Sequence, residues 1–329
     1  MIIISKQKIF LVSLIIILLL GLSVVTASDN STVKDVKVQK SVTKTSPANN
    51  IKTKTITKNK ESNVTKKVTN TKEKSVKNIS KTKNKQTKKA SSIDINNYQE
   101  LYNTLTTSTE SDLTVNLKGN TYQITEATGA ISISDNIKKL VINGNNKTID
   151  GNKRFNFLTT PIDDIESLED DSTITNDITI NDLTISNCSG SLSAIFQMNV
   201  NLTLNHVKFI NNDLKGEDIY DSVGGALSII NYENITINNC EFEKNYALDA
   251  GAVLIEGIKS SKLTINNTNF TSNGKKDNEI TNMGGALAIV AYHDNANVEI
   301  DNCKFTNNTG NSRVHYTTLE ENTTALNSK

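Results

Sequence analysis

The residues best suited to chemistry in this chain are two pairs of adjacent aspartates, Asp163 with Asp164 and Asp170 with Asp171. Paired carboxylates could act as the acid and base of glycoside hydrolysis, or as oxygen ligands of Ca²⁺. Both pairs lie in an acidic stretch, residues 163–171, that fits no strand pattern and has no basic catalytic element beside it. We therefore interpret residues 163–171 as a solvated loop and keep a calcium site and a catalytic pair as alternatives.

Other residue types that carry chemistry are scarce. A polysaccharide lyase needs a positioned Lys or Arg base, and the only arginines, Arg154 and Arg313, lie outside any sequence cluster of carboxylates. The three histidines, His206, His293 and His315, show no metal-ligand spacing. We therefore expect no catalytic residue, no cofactor, no metal ligand and no enzymatic activity.

The N-terminal segment, residues 1–27, has the pattern of a secretory signal peptide. Lys6 and Lys8 precede an apolar run over residues 9–25, and small residues follow up to Ala27. The run lies at the short end of the range for a membrane-spanning helix, so an uncleaved anchor is the alternative. Both interpretations place the rest of the chain outside the cell, either secreted or tethered at the cell surface.

Residues 28–92 have the composition of a disordered linker. They contain 18 lysines and four acidic residues, a net charge of +14, without a periodic apolar stripe. The linker either lies on an anionic envelope surface or serves as a soluble spacer. Nucleic-acid binding is disfavoured by export and by the lack of interleaved aromatics. Residues 93–329 carry the opposite charge, −15, so the near-neutral total conceals a basic arm and an acidic body.

The body contains two alternating repeats. An eight-residue motif with alternating apolar residues and a central Asn or Asp starts at five positions: Ile178, Leu202, Ile235, Leu263 and Val298. A Gly-Gly-Ala-Leu type motif recurs at residues 224–229, 250–255 and 284–289, with a degenerate copy at 193–196. Fixed-order motifs at such periods indicate a solenoid, and the two-residue apolar alternation indicates strands rather than helices.

The parity of the apolar positions predicts a corner inside each motif. Ile235 and Ile237 share one face, and Cys240 and Phe242 share one face, but the odd interval between the pairs requires a turn at Asn238 or Asn239. Asn tolerates the left-handed conformation of such a turn, and glycine supplies a second corner. Three short strands per coil predict an all-β, right-handed parallel β-helix of the pectin-lyase-like type. The expected inward columns are Ile235/Leu263/Val298, Ile237/Ile265/Ile300, Phe209/Phe242/Phe270/Phe305 and Leu227/Val253/Leu287, with hydrogen-bonded Asn ladders at the corners.

The β-helix is predicted to span residues 93–308. Residues 98–105 have helical spacing, and we expect a short amphipathic helix there to cap the open end of the first coil. Residues 309–329 are predicted to form a polar C-terminal tail.

The three cysteines, Cys188, Cys240 and Cys303, are an odd number, so they cannot all pair. Cys240 and Cys303 occupy the same position of their repeats, with Thr268 in the coil between. Two coils separate them by about 9–10 Å, beyond the Cα distance of a disulfide. We expect buried free thiols, with Cys188 left open.

The combined repeats, such as residues 240–245 with the Gly-Gly-Ala-Leu motif, resemble those of chlamydial polymorphic outer-membrane proteins. The overall layout, including the Thr-Ile-Asp-Gly-Asn element at residues 148–152, is more similar to the Asn/Thr-rich adhesin-like proteins of methanogenic archaea. The resemblance covers residues 93–308 and implies a right-handed parallel β-helix and a role in adhesion.

We therefore expect an adhesin-like surface protein that binds cell-surface or environmental glycans, or a host or microbial surface, without catalysis. The alternatives are a β-helical polysaccharide lyase or glycosidase and a passive envelope component; the oligomeric state is left open. Glycosylation is an expectation at exposed sequons. The sequons lie at Asn30, Asn63, Asn78, Asn146, Asn187, Asn201, Asn234, Asn266, Asn269, Asn307 and Asn322.

Overall fold

A computed structural model describes part of the chain. The described residues are 32–33, 36–37, 91–160, 174–214, 224–248, 250–257, 261–274, 284–291, 297–310 and 312–318. All of them belong to one compact unit. The predicted signal or anchor segment, residues 1–27, and the acidic stretch, residues 163–171, lie outside the described residues.

The described elements are one helix and twenty strands. The helix, α1, spans Tyr98–Thr107. The strands are β1 Thr32–Val33, β2 Val36–Lys37, β3 Ser91–Asn97, β4 Asp112–Gln123, β5 Lys139–Asp150, β6 Leu158–Thr159, β7 Asn176–Ser186, β8 Ile195–Met198, β9 Val200–Asn205, β10 Lys208–Ile210, β11 Leu227–Ile230, β12 Asn234–Asn238, β13 Glu241–Glu243, β14 Val253–Gly257, β15 Lys262–Asn266, β16 Asn269–Thr271, β17 Gly284–Ala291, β18 Asn297–Asp301, β19 Cys303–Thr306 and β20 Ser312–Thr318. Strands β1 and β2 lie within the range predicted as linker, and β20 lies within the range predicted as tail.

The strands form two sheets, which are parallel throughout except where β1 and β2 join the larger one. In the larger sheet the strands β3, β4, β5 and β7 pair in that order. Two series then start on β7. The first half of β7 pairs with β9, which is followed by β12, β15 and β18, and the second half of β7 pairs with β10, which is followed by β13, β16 and β19. The smaller sheet has the order β20-β17-β14-β11-β8-β6. Each coil from β9 onward thus contributes three strands. The protein is mostly β with parallel sheets, consistent with the predicted parallel β-helix.

The corner predicted from the parity of the apolar residues is present in five successive coils. One residue per coil takes a left-handed conformation at this place, with φ between 49° and 54°. These residues are Asp182, His206, Asn239, Asn267 and Asn302. Asn, Asp and His adopt this conformation more readily than other side chains do, so the corner is encoded locally.

The four predicted inward columns are confirmed, because their members are buried and in register along the coils. The phenylalanine column is the most regular of them. Its ring centroids lie 4.8–4.9 Å apart with interplanar angles of 1–5°. This interval matches the spacing of neighbouring strands, about 4.8 Å, so each coil adds one ring directly over the last.

The prediction that the Gly-Gly motif supplies a second corner with positive φ holds in part. Gly224 has φ +68°, but its counterpart in the next coil is Ala250 with φ 49°. The second glycine of the motif is required by close packing instead. A Cβ on Gly251 would lie 2.3 Å from the carbonyl oxygen of Gly285, and one on Gly225 would lie 2.5 Å from that of Tyr246.

Helix α1 forms where the sequence predicts an amphipathic helix. The Asn97 side chain accepts a hydrogen bond from the Glu100 amide at 2.9 Å, which satisfies one of the free amides at the start of the helix. Leu101 and Leu105 are fully buried against the hydrophobic core. The Tyr98 hydroxyl donates to the carbonyl oxygen of Gly129 at 3.0 Å.

Candidate functional site

A regular outward-facing surface is built by the outward residues of β7, β9, β12 and β15, and we call it the Thr/Asn face. Along each strand the inward residues are buried Ile or Leu, while the residues between them are half-buried or exposed. The face consists of a threonine row, Thr179/Thr203/Thr236/Thr264, and an asparagine row, Asn181/Asn205/Asn238/Asn266, in register across the coils. A third, mixed row, Asp177/Asn201/Asn234/Lys262, lies alongside.

A chain of hydrogen bonds fixes the asparagine row. Each side-chain amide donates through Nδ2 to Oδ1 of the residue in the preceding coil. The distances are 3.3 Å for Asn266 to Asn238, 3.1 Å for Asn238 to Asn205, 2.9 Å for Asn205 to Asn181, 3.0 Å for Asn181 to Asn143 and 2.9 Å for Asn143 to Asn116. Asn116 donates to Asp94 at 3.0 Å, and a carboxylate, which can only accept, suits the end of the series.

This row keeps hydrogen-bonding capacity for a ligand. A side-chain amide has two N–H donors and two oxygen lone pairs, and the row uses one of each on every internal asparagine. One donor and one acceptor per coil therefore remain, repeated at the coil spacing of about 4.8 Å. Each neighbouring threonine adds a hydroxyl that both donates and accepts.

The face is neutral in its centre and limited at both ends. In the threonine row, Val141 precedes Thr179 and Glu299 follows Thr264. In the asparagine row the residue after Asn266 is Asp301. The part of the face in which the threonine row and the asparagine row are both unbroken therefore spans four coils, from β7 to β15.

The adjacent half of the same sheet has a different character. Beyond the corner, the corresponding outward residues are Thr184, Lys208, Glu241, Asn269 and Lys304. Lys208 and Glu241 form an ion pair with 3.0 Å between Nζ and Oε2. This half is a mixed-charge surface and supplies a control for any function assigned to the Thr/Asn face.

A second asparagine row, which the sequence pattern did not predict, lies inside the protein with one asparagine per coil. Asn212, Asn245 and Asn273 are 0–1% exposed, and Asn308 continues the row. Asn245 accepts from the amide N and Nδ2 of Asn212 at 3.2 and 2.9 Å, and it donates to the carbonyl oxygen of Phe209 and to Oδ1 of Asn273, both at 3.0 Å. The Phe-x-x-Asn spacing, which occurs in four repeats, is the sequence pattern from which this interior row could have been predicted. The row binds adjacent coils together.

The cysteines are free and buried, as predicted, and Cys188 shares this property. Cys240 and Cys303 flank the buried Thr268, whose hydroxyl accepts from the Cys240 amide at 3.3 Å. Burial raises the pKa of Cys303 to about 11 and that of Cys240 to about 12, and it raises the pKa of Cys188 still further. The three thiols are therefore almost entirely protonated at neutral pH.

We predict that the native chain reacts with a thiol reagent such as Ellman's reagent far more slowly than the unfolded chain at pH 8. At this pH the thiolate fraction of Cys303 is about one in a thousand, and burial blocks access as well. In guanidinium chloride all three cysteines should react within the mixing time. Fast reaction of even one thiol in the native chain would contradict the assigned burial.

The remaining sequence candidates do not converge. His206 occupies the corner, and its Nδ1 lies 3.5 Å from Oδ1 of Asp182, with both side chains exposed. Arg154 pairs with Glu126. Among the described residues, no group of three or more His, Cys, Asp and Glu side chains could hold a metal ion. His293, and the side chains of Arg313 and His315, lie outside the described part.

Comparisons of the chain with family models, with curated proteins and with solved structures found no match. The described residues include no helix long and apolar enough to cross a membrane.

Proposed function

We propose that this chain is an adhesin-like protein of the cell surface that binds polysaccharides without cleaving them. The observation that carries the proposal is the Thr/Asn face, with its two rows of uncharged polar side chains in register over four coils. The resemblance to the adhesin-like proteins of methanogenic archaea points to the same role, and it is part of the proposal.

The chemistry of the face suits a carbohydrate. A sugar hydroxyl both donates and accepts a hydrogen bond, and each coil offers one amide donor, one amide acceptor and one threonine hydroxyl. The amides of the asparagine row are held by their neighbours, so little side-chain freedom is lost when a ligand binds. A polymer with repeating hydroxyl groups can contact several coils at once, so weak individual contacts add up by multivalency.

The handedness of the winding and the capping role of α1 are also part of this proposal. A right-handed, pectin-lyase-like winding follows from the strong right-handed preference of crossovers between parallel strands. Helix α1 would cap the first coil, because it buries Leu101 and Leu105 beside β3 and β4. Such a cap would protect the first strand from pairing with other chains.

The surface location rests on the N-terminal sequence. Residues 1–27 would act as a signal peptide or as an uncleaved anchor, and residues 28–92 would connect the anchor or envelope to the β-helix. The lysines of this linker could attach it to an anionic envelope. Among the described sequons, Asn146, Asn234, Asn269 and Asn307 are exposed and would be the accessible glycosylation sites.

Size-exclusion chromatography of the full chain with a panel of labelled polysaccharides tests the proposed function. We expect co-elution with at least one intact polysaccharide. Shortened polysaccharides would overturn the proposal and favour a lyase or glycosidase. No co-elution with any polymer, together with release of the protein from cells on deletion of residues 28–92, would favour a passive envelope component.

A further inference from the structure

The last coil of the larger sheet pairs with two short strands from the N-terminal part of the chain. Strand β1 pairs antiparallel with β19, with Thr32 opposite Lys304 and Val33 opposite Cys303. Strand β2 pairs antiparallel with β18, with Val36 opposite Ile300 and Lys37 opposite Glu299. Strands β1 and β2, which we together call the closing segment, therefore pair with both strands that the last coil contributes to the larger sheet.

The sequence of the closing segment matches this place. Ile300 and Cys303 belong to inward columns and lie three residues apart, one on each side of the corner. Val33 and Val36 have the same three-residue spacing, and each takes the register position of one of these inward residues. The flanking residue Lys37 takes the register position opposite Glu299.

The closing segment addresses a physical liability of the fold. A parallel solenoid ends in strands whose outer backbone groups lack a partner, and such edges pair with other chains unless they are covered. Strands β18 and β19 end the two series of the larger sheet, next to β15 and β16. Antiparallel pairing on their other side supplies hydrogen-bond partners and ends the series.

We propose that the closing segment, formed by β1 and β2, is an intramolecular strap that covers the edge of the last coil in the larger sheet. The chain can reach that far. The larger sheet has eight successive rungs from β3 to β18, a distance of about 34 Å. The 54 residue steps from Lys37 to Ser91 can extend to about 180 Å.

The occupant of this edge is the chain's own segment rather than that of a second copy. A tethered segment acts at an effective concentration on the order of millimolar for short linkers, and this value falls roughly as the −3/2 power of length for a longer linker such as this one. Pairing within one chain is therefore favoured at protein concentrations below the effective concentration.

The strap also has a consequence for orientation, which rests on the proposed surface location. Thr32 follows the predicted signal or anchor segment, residues 1–27, by five residue steps, or about 18 Å. If that segment is retained as an anchor, the last coil is held close to the membrane and the first coil is the end that points away.

Hydrogen exchange of the full chain, followed by mass spectrometry, tests the strap. The variant Val33→Asp with Val36→Asp places charges at the register positions of two inward columns. The matched control, Val76→Asp with Ile79→Asp, makes the same change at the same three-residue spacing elsewhere in the basic region. We expect the first variant to speed exchange in residues 297–306 at least about tenfold, and the control to leave it within about twofold.

Three results would overturn the proposal. Equal exchange of residues 297–306 in the two variants and the unaltered chain would show that the segment does not cover the edge. Equal acceleration in both variants would show an effect of charge alone. Protection that rises with protein concentration, together with dimers on size-exclusion chromatography, would show that a second copy supplies the strand. The hydrogen-exchange experiment does not measure polysaccharide binding, so its outcome can contradict the strap without contradicting the proposed function.

Discussion

Replacing Asn245 with alanine is expected to lower the free energy of unfolding by about 3–5 kcal/mol, one of the largest effects of any single change in this chain. The Asn245 side chain makes four hydrogen bonds that join three coils, and all of them lie in the interior. Alanine would leave buried donors of Asn212, the carbonyl oxygen of Phe209 and Oδ1 of Asn273 short of a partner. Guanidinium unfolding followed by circular dichroism measures the loss.

Asn238→Ala is the matched control for this change. Asn238 belongs to the same coil and also lies in an asparagine row, but its side chain is half-buried, so water can replace the lost partners. We expect a cost of about 1 kcal/mol or less. Similar losses for the two variants would contradict the structural role assigned to the interior row.

Phe242→Ala should have a comparable effect through packing. The Phe242 ring is fully buried and stacks between Phe209 and Phe270 at 4.9 Å on each side. Its removal opens a cavity in the middle of the column, and such truncations cost about 3–5 kcal/mol. The same unfolding experiment measures this loss.

Two further variants distinguish the loss of packing in the column from the effect of changing any phenylalanine. Phe242→Leu keeps most of the volume and should cost about 1–2 kcal/mol. Phe155, which is only partly buried against the core, serves as a control, and Phe155→Ala should cost about 1 kcal/mol. A Phe242→Ala variant as stable as Phe155→Ala would contradict the stacked column.

Much of the coil could be predicted from the sequence, because its signals are local and repeated. The parity change at Asn238 and Asn239 gives the corner, and the repeats give the register of the inward columns. These features depend on side-chain alternation and on residues that tolerate positive φ, and both can be recognised in the sequence itself.

The burial of the interior asparagine row could not be predicted from the sequence. Asn245 and Asn238 are the same residue type in the same coil, and only the fold makes one buried and the other half-exposed. The Phe-x-x-Asn spacing marks a repeat, but it does not state whether the amide faces water or the next coil. The second glycine of the Gly-Gly motif is a similar case, because its close contacts come from neighbouring coils.

The strap and the binding face depend on long-range pairing. Val33 and Val36 lie in a Lys- and Thr-rich stretch in which two apolar residues give no strand signal of their own. Their partners, in β19 and β18, are more than 260 residues away. The Thr/Asn face likewise becomes visible only when the coils are stacked, and a fold alone does not name its ligand.

The central claim, that the Thr/Asn face binds polysaccharide, is tested most directly by comparing two double variants of the full chain for binding to the polymer identified by co-elution. Thr203→Arg with Thr236→Arg places two bulky charges in the centre of the face, while Thr184→Arg with Asn269→Arg makes the same charge change on the adjacent half of the sheet. We predict that affinity falls at least about tenfold for the first variant and stays within about twofold for the second. Equal affinity of the two variants would contradict the claim.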